Sequence, residues 1–251
     1  MAIDINANKN KFGLFNIFKI WRYKRKFYKE HPTYFYADGL VVFTGPQGSG
    51  KTLSAVLYVK NLMEEYPNAM IVSNIELEFA PFDNVKVFPF NNADDLSHYN
   101  NGEEGVIFLI DEVQLYFNSL ESKNINPEVM TQISQQRKQR KHIVCTSQVF
   151  GRMAKPLREQ FSNVVVCSNF LKCLQINKLI DRDSIEEYDN GTTLKGTVKK
   201  KFMFFHHPKY YNYYNTYYVI DKNKFVYNED KKGDVYTSEQ PRLQCDIKLV
   251  K

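Results

Sequence analysis

Residues 45–52 read Gly45-Pro46-Gln47-Gly48-Ser49-Gly50-Lys51-Thr52 and satisfy the pattern G-x-x-x-x-G-K-[ST] at every fixed position. The glycines let the backbone curl until successive N–H groups point inward, at the oxygens of a phosphate. The helix that must follow presents the positive end of its dipole to the same oxygens. Such a loop needs a buried strand before it and a helix after it. Leu40–Thr44 (LVVFT) supplies the strand, and a helix is predicted from about Lys51 to Glu65. In this setting Lys51 is expected to reach the β- and γ-phosphates of ATP, and Thr52 to ligate Mg²⁺. Pro46 stiffens the turn, and Gln47 is placed to hydrogen-bond its neighbours.

Some 60 residues later, Val106–Ile110 (VIFLI) runs without alternation into Asp111-Glu112. An unbroken apolar run of this length predicts a central parallel strand buried on both faces. At its carboxyl end Asp111 stands where an Mg²⁺-bound water needs an anion, and Glu112 can orient and polarise an attacking water. A third element, Thr146-Ser147-Gln148, closes the apolar run Ile143–Cys145. If that strand lies beside the phosphate loop, Gln148 is the candidate to sense the γ-phosphate or hold the water. A plain polar strand end is the competing reading.

Strands and helices alternate between residues 40 and 167, which predicts an α/β fold with a mainly parallel central sheet flanked by helices. Further strands are expected at Ala69–Ile75, about Val85–Phe88 and Val164–Cys167, with Leu171–Ile176 pairing to the last. Helices are expected at about 91–99, 127–141 and 153–161. Past residue 180 the composition shifts to a charged stretch, read as a hairpin or mobile insertion, and then to the tyrosine-dense KYYNYYNTYYVI. Tyr210, Tyr211, Tyr213, Tyr214, Tyr217 and Tyr218 are read mainly as strand and core residues. The organisation expected is an arm over residues 1–33, an ATPase core over 34–180, and a β-rich extension of the same domain over 181–251.

The net charge of +6 sits entirely in residues 1–30, which hold eight basic and two acidic side chains; the rest carries 26 of each. Within that arm, residues 12–29 (FGLFNIFKIWRYKRKFYK) read as a basic helix ended by His31-Pro32. Its apolar positions nearly surround it, so docking onto the domain or a neighbouring subunit is one role, binding an anionic membrane surface a second, and DNA contact a third. No run approaches the roughly 20 apolar residues of a membrane span, and no signal peptide is visible. A soluble or at most peripheral protein is expected, not a secreted one. Cys145, Cys167, Cys173 and Cys245 lack a CxxC pair and read as reduced thiols. A basic group follows the carboxylates: Arg137, Lys138, Arg140, Lys141, Arg152, Lys155 and Arg158. One of these can serve as an arginine finger onto a neighbour's γ-phosphate, and Arg140 leads because it precedes the strand bearing Gln148. A solvated helix face is the other reading.

Together the glycine loop, Leu109-Ile110-Asp111-Glu112, the Gln- and Arg-rich helix, Arg140-Lys141-His142 and Thr146-Ser147-Gln148 resemble the additional-strand, catalytic-glutamate class of P-loop ATPases. More narrowly they resemble the zonular-occludens-toxin-like phage ATPases, a branch of the FtsK–HerA superfamily, over about residues 40–220. The resemblance implies a ring of identical subunits that translocates duplex DNA. Filamentous-phage members usually carry a transmembrane segment, so this chain is closer to soluble relatives that package DNA into capsids. Capsid or portal proteins would then be partners, and the host cytoplasm or the virion the place of action. An assembly or export ATPase at a membrane, a P-loop kinase of a small substrate, and a non-hydrolytic nucleotide switch stay open as alternatives.

Overall fold

Three short apolar runs with no polar alternation, LVVFT, VIFLI and IVCTS, dictate the middle of the molecule, because each can satisfy its backbone only inside a sheet covered on both faces. The computed structural model of the protein describes residues 14–36, 39–78, 85, 87–120, 125–187 and 194–215, all within one structural unit. In chain order the elements are α1 (Leu14–Glu30), β1 (Leu40–Thr44), α2 (Lys51–Glu65), β2 (Met70–Ser73), β3 (Val87–Pro89), α3 (Asp95–His98) and β4 (Val106–Ile110). They continue with α4 (Pro127–Gln135), β5 (Lys141–Ser147), α5 (Lys155–Arg158), β6 (Phe161–Phe170), β7 (Leu174–Ile180), β8 (Glu186–Glu187), β9 (Leu194–Lys195) and β10 (Val198–Phe205).

Eight strands form one sheet in the order β10-β7-β6-β1-β5-β4-β2-β3. The pairings from β6 through β3 are parallel, whereas β7 runs antiparallel to both β6 and β10. Every residue of β1, β4 and β5 is buried. Alternate side chains of these strands feed two cores. Val41, Phe43, Ile107 and Leu109 pack with Leu53, Val56, Val59 and Met63 of α2. Leu40, Val42, Phe108 and Ile110 pack with Val129 and Ile133 of α4 and Leu157 of α5. The doubly covered, mainly parallel sheet is the expected P-loop NTPase fold.

The strand carrying Thr146 lies between the phosphate-loop strand and the strand carrying Asp111. Thr44 is level with Ser147, and Ile110 with Cys145, so the three strand tips end on one line. This is the placement on which the reading of Gln148 depends.

Several boundaries differ from expectation. The helix predicted over 127–141 stops at Gln135. Its end folds into a Schellman-type closure, in which the Lys141 N–H donates to the Gln136 carbonyl and the Arg140 N–H to that of Arg137. Arg140 takes the left-handed position (φ 54°) that glycine usually fills, so the sequence carries no stop signal there. The helix expected over 153–161 shortens to α5, preceded by a 3-10 turn at Phe150–Arg152. β6 is ten residues long, and its partner β7 starts at Leu174 rather than 171, after a turn with Leu171 and Lys172 both left-handed. The charged stretch past 180 yields the small β8–β9 pair and then β10, which joins the main sheet as an edge strand. Of the tyrosines, Tyr213 and Tyr214 are buried as expected, but residues 208–212 form a 3-10 helix and not a strand.

The arm is helical from Leu14, and most of its described side chains from residue 16 onward are exposed. Phe27 meets His31 and Tyr34, while Ile17, Phe18, Ile20, Trp21 and Tyr28 are exposed. No helix among the described residues is long and apolar enough to cross a membrane. The expectations for residues 1–10, Phe12, Tyr217, Tyr218, Cys245 and the rest of the extension beyond Asn215 lie outside the described residues.

Candidate active site

The carboxyl ends of β1, β5 and β4 deliver the site. From β1 the chain enters the loop at Gly45, whose φ of 151° and close neighbour, the Cys167 carbonyl 2.6 Å from where a Cβ would sit, leave no room for a side chain. The loop ends at Gly50, which precedes α2 with no side-chain cap, so the first N–H groups of the helix are left for an anion. Lys51 is buried and its Nζ donates to the Pro46 carbonyl at 3.1 Å, which holds the ammonium across the loop it closes. The Ser49 hydroxyl is buried without a hydrogen-bond partner among the described residues. It is a donor available to a phosphate oxygen.

Asp111 and Glu112 sit side by side and are held differently. Asp111 Oδ1 accepts from Thr52 Oγ1 at 2.9 Å and from Thr146 Oγ1 at 2.6 Å. Its backbone is clamped by Asn74 at the end of β2, which accepts the Asp111 N–H at 2.7 Å and donates to its carbonyl at 2.8 Å. Burial raises the Asp111 carboxyl above the ordinary carboxylate range, against the opposing pull of the two threonine hydroxyls. A buried carboxylate penalised in this way, next to a threonine oxygen, is an oxygen donor set suited to Mg²⁺. Thr52 and Asp111 would hold that ion.

Glu112 has left-handed backbone angles (φ 51°, ψ 53°), a strained state for a residue with a side chain. The strain turns its carboxylate out of the Asp111 environment and into a cleft of about 360 Å³ lined by Glu112, Gln114, Leu115, Asn118, Gln148 and Arg152. Gln148 Nε2 donates to one carboxylate oxygen at 3.0 Å, and Gln114 Nε2 to the other. The Glu112 N–H donates to Thr146 Oγ1 at 3.0 Å. One hydroxyl on the inserted strand thus serves both acids. The arrangement separates the two roles that hydrolysis needs: an anion at the metal position, and a fixed carboxylate facing the cleft to orient water.

The structure brings Lys51, Thr52, Asp111, Glu112 and Gln148 together. It does not bring Arg140 there. Arg140 lies at the amino end of β5, about 20 Å along the strand from the loop at ~3.3 Å per residue. Its guanidinium covers the Tyr34 ring, 4.7 Å from the centroid, so it takes no part in its own subunit's site. Lys141 and His142, adjoining it, are buried strand residues. Lys141 Nζ donates to the Leu96 carbonyl at 2.7 Å, and burial pushes the His142 ring down to about 4, beside the Tyr58 hydroxyl. The basic side chain that does line the cleft is Arg152.

Sequence reading missed three supports: Asn74, Gln114 and Gln175. Gln175 of β7 donates to the Ser49 carbonyl at 2.9 Å from beneath the loop. Its signal was a strand, LQINKLI, with Gln and Asn two apart on one face of an otherwise mostly apolar run.

The family model for zonular occludens toxin (Zot) matches residues 39–173. No match is found among curated proteins. The N-terminal domain of zonular occludens toxin from Neisseria meningitidis is similar at 19% identity, over 70% of this chain and 98% of that one, with a TM-score of 0.49. The genome packaging NTPase B204 of Sulfolobus turreted icosahedral virus 2, in complex with ATP-gammaS, is similar at 12% identity over 63% and 95%, TM-score 0.45. The flagellar accessory protein FlaH of Methanocaldococcus jannaschii is similar at 10% identity over 68% and 86%, TM-score 0.45. The matched segment of the family model takes in the glycine loop, both acids and the inserted strand, and spans more than half of the sequence. The protein is a P-loop ATP hydrolase and belongs to the zonular occludens toxin family.

Proposed function

We propose that the chain is an ATP-driven DNA translocase of viral type that packages a duplex genome into a capsid. The observation that carries the hydrolytic part is the Glu112 carboxylate, held between Gln148 and Gln114 at the mouth of the cleft. A carboxylate so placed accepts a proton from water and needs no phosphoryl acceptor site, which speaks against a kinase. Lys51 would pair with the β- and γ-phosphates, and the loop N–H groups would cradle them. Bound Mg²⁺ would neutralise charge developing on the transferred phosphoryl group. Thr146, tied to both acids, would keep the metal-side and water-side carboxylates at a fixed spacing.

Family membership supports the translocase part. A ring of subunits around duplex DNA, acting in the host cytoplasm or on the virion with capsid or portal proteins, is the corresponding assembly. The test is ATP turnover with and without duplex DNA. Stimulation by duplex is expected. Turnover that duplex of any length leaves unchanged would sink the translocase reading, and nucleotide binding without turnover would point to a switch.

One observation favours a second reading, an assembly or export ATPase at a membrane surface. On α1, Ile17, Phe18, Trp21 and Tyr28 are exposed on one side, with the Arg25 guanidinium over the Trp21 ring, and Lys29, Arg22, Lys26 and Lys19 follow round the helix from Phe18. Aromatic and aliphatic side chains beside a basic face suit an anionic lipid surface. Co-flotation with vesicles containing phosphatidylglycerol, lost on deletion of residues 1–30, is its signature. Loss of duplex binding with a flatter salt dependence would instead assign the arm to DNA.

A further inference from the structure

The glycine loop rests on β7, a strand outside the parallel part of the sheet. The Gln175 side chain is fully buried beneath the loop. Its Nε2 faces two acceptors, the Ser49 carbonyl at 2.9 Å and Asn177 Oδ1 at 2.9 Å. Two acceptors on one side fix the amide, so Oε1 must face the other way. There it meets His206 Nε2 at 3.2 Å. Because Oε1 can only accept, His206 carries its proton on Nε2, and its Nδ1 meets the Tyr211 hydroxyl at 2.6 Å. The backbone of His206 is anchored too, its N–H donating to the Cys173 carbonyl at 2.7 Å. A chain of hydrogen bonds therefore runs from exposed Tyr211, through half-buried His206 and buried Gln175, to the backbone of the loop.

The consequence follows from the planarity of the peptide bond. In a trans peptide the carbonyl of one residue and the N–H of the next point in opposite directions. A hydrogen bond that holds the Ser49 carbonyl down onto β7 aims the Gly50 N–H up into the loop, where phosphate oxygens are expected. The other end of the same amide lies against Gly50, whose backbone is left-handed. A Cβ there would lie 2.0 Å from Gln175 Oε1, at a φ of 78°.

We infer that Gln175 is a positioning residue for nucleotide phosphates, that it acts by orienting the Ser49–Gly50 peptide, and that His206 fixes the orientation of its amide. This rests on the nucleotide-binding reading of the Gly45–Thr52 loop. Gln175→Glu keeps the shape and removes the donor, so a carboxylate oxygen would face the Ser49 carbonyl. His206→Phe keeps a ring and removes the donor to Oε1, whereas His206→Gln keeps a donor.

The experiment measures the affinity of the full chain for a fluorescent ATP analogue, beside its thermal melting. A folded Gln175→Glu protein should bind at least tenfold more weakly. His206→Phe should bind about threefold or more weakly, and His206→Gln should recover affinity without any change in melting distinguishing the two. A general packing role would move melting and affinity together and would not separate Phe from Gln. A folded Gln175→Glu protein that binds within twofold of wild type overturns the inference. Should that variant fail to fold, His206→Phe decides, with unchanged affinity overturning it. Wild-type protein that binds no nucleotide would refute the parent reading instead.

Discussion

Thr146→Val tests whether the inserted strand organises the two acids. The substitution keeps the volume and the β-branched shape of a residue that is fully buried, and it deletes one hydroxyl. Two hydrogen bonds go with it, one donated to Asp111 Oδ1 and one accepted from the Glu112 N–H. A bond to a charged acceptor contributes about 1.5–3 kcal/mol, and a buried N–H left unpaired costs about 1–3 kcal/mol. Because the two share one atom, the combined loss is about 2–4 kcal/mol. At about 2–4 °C per kcal/mol for a chain of this size, the melting midpoint should fall by about 4–16 °C. Catalysis should fall as well, since the Asp111 carboxyl loses a donor that favours its ionised form and Glu112 loses the anchor of its strained backbone. The assay pairs thermal melting in nucleotide-free, chelator-containing buffer with phosphate release under saturating ATP and Mg²⁺. Thr146→Ser should stay close to wild type in both. A Thr146→Val protein that melts and hydrolyses like wild type would refute the argument that this hydroxyl holds the acids in register.

Glu112→Gln should bind ATP with near wild-type affinity and turn it over about 10²–10⁴ times more slowly, the range expected for losing a positioned general base; Lys51→Ala should fail at binding itself, and a nucleotide titration separates the two. Asp111→Asn should be inactive yet more stable than wild type. The folded Asp111 carboxyl titrates above its unfolded value, so its stability contribution is greatest at low pH and is lost as pH rises through that raised value. The stability gap between the two proteins should therefore widen from the ordinary carboxylate range upward, which denaturant melts at stepped pH will show or deny. For the proposed ring, Arg137→Ala, Arg140→Ala, Arg152→Ala and Arg158→Ala can each be mixed with Lys51→Ala protein. Recovery of ATPase activity marks a finger supplied in trans, and an inactive, exchanging, folded mutant that recovers nothing is not one.

The parts of this molecule that sequence revealed are those whose physics is local. The glycine loop must follow a strand and open a helix, and an apolar run ending in two acids needs only its own burial. What sequence concealed depends on who sits beside whom. Asn74 matters because β2 pairs with β4 in a register that puts Ser73 level with Leu109. Gln175 matters because an antiparallel hairpin carries it under a loop more than a hundred residues earlier. Arg140 does precede the strand bearing Gln148, as read; what stayed hidden was its left-handed turn, because no glycine marks the end of α4. Lys141 read as one of a basic group and is in fact core, its ammonium held by the Leu96 carbonyl.

The interposed strand has a bearing on how the molecule is made. Leu40 of β1 pairs with Ile143, and Val106 of β4 with Lys141, so no hydrogen bond of the sheet joins the phosphate-loop strand directly to the strand of the acids. A growing chain that has emerged only as far as α4 holds every residue of the loop and both acids but lacks the element that sets them side by side. Closing these long-range pairings is the slow, entropically costly part of folding such a topology. The last of the supports to arrive, β7 and the turn after β10, come later still. Nucleotide capture by a nascent or refolding chain would therefore time the insertion of its central strand, and a series of chains lengthened past residues 147, 177 and 211 would acquire that ability in steps.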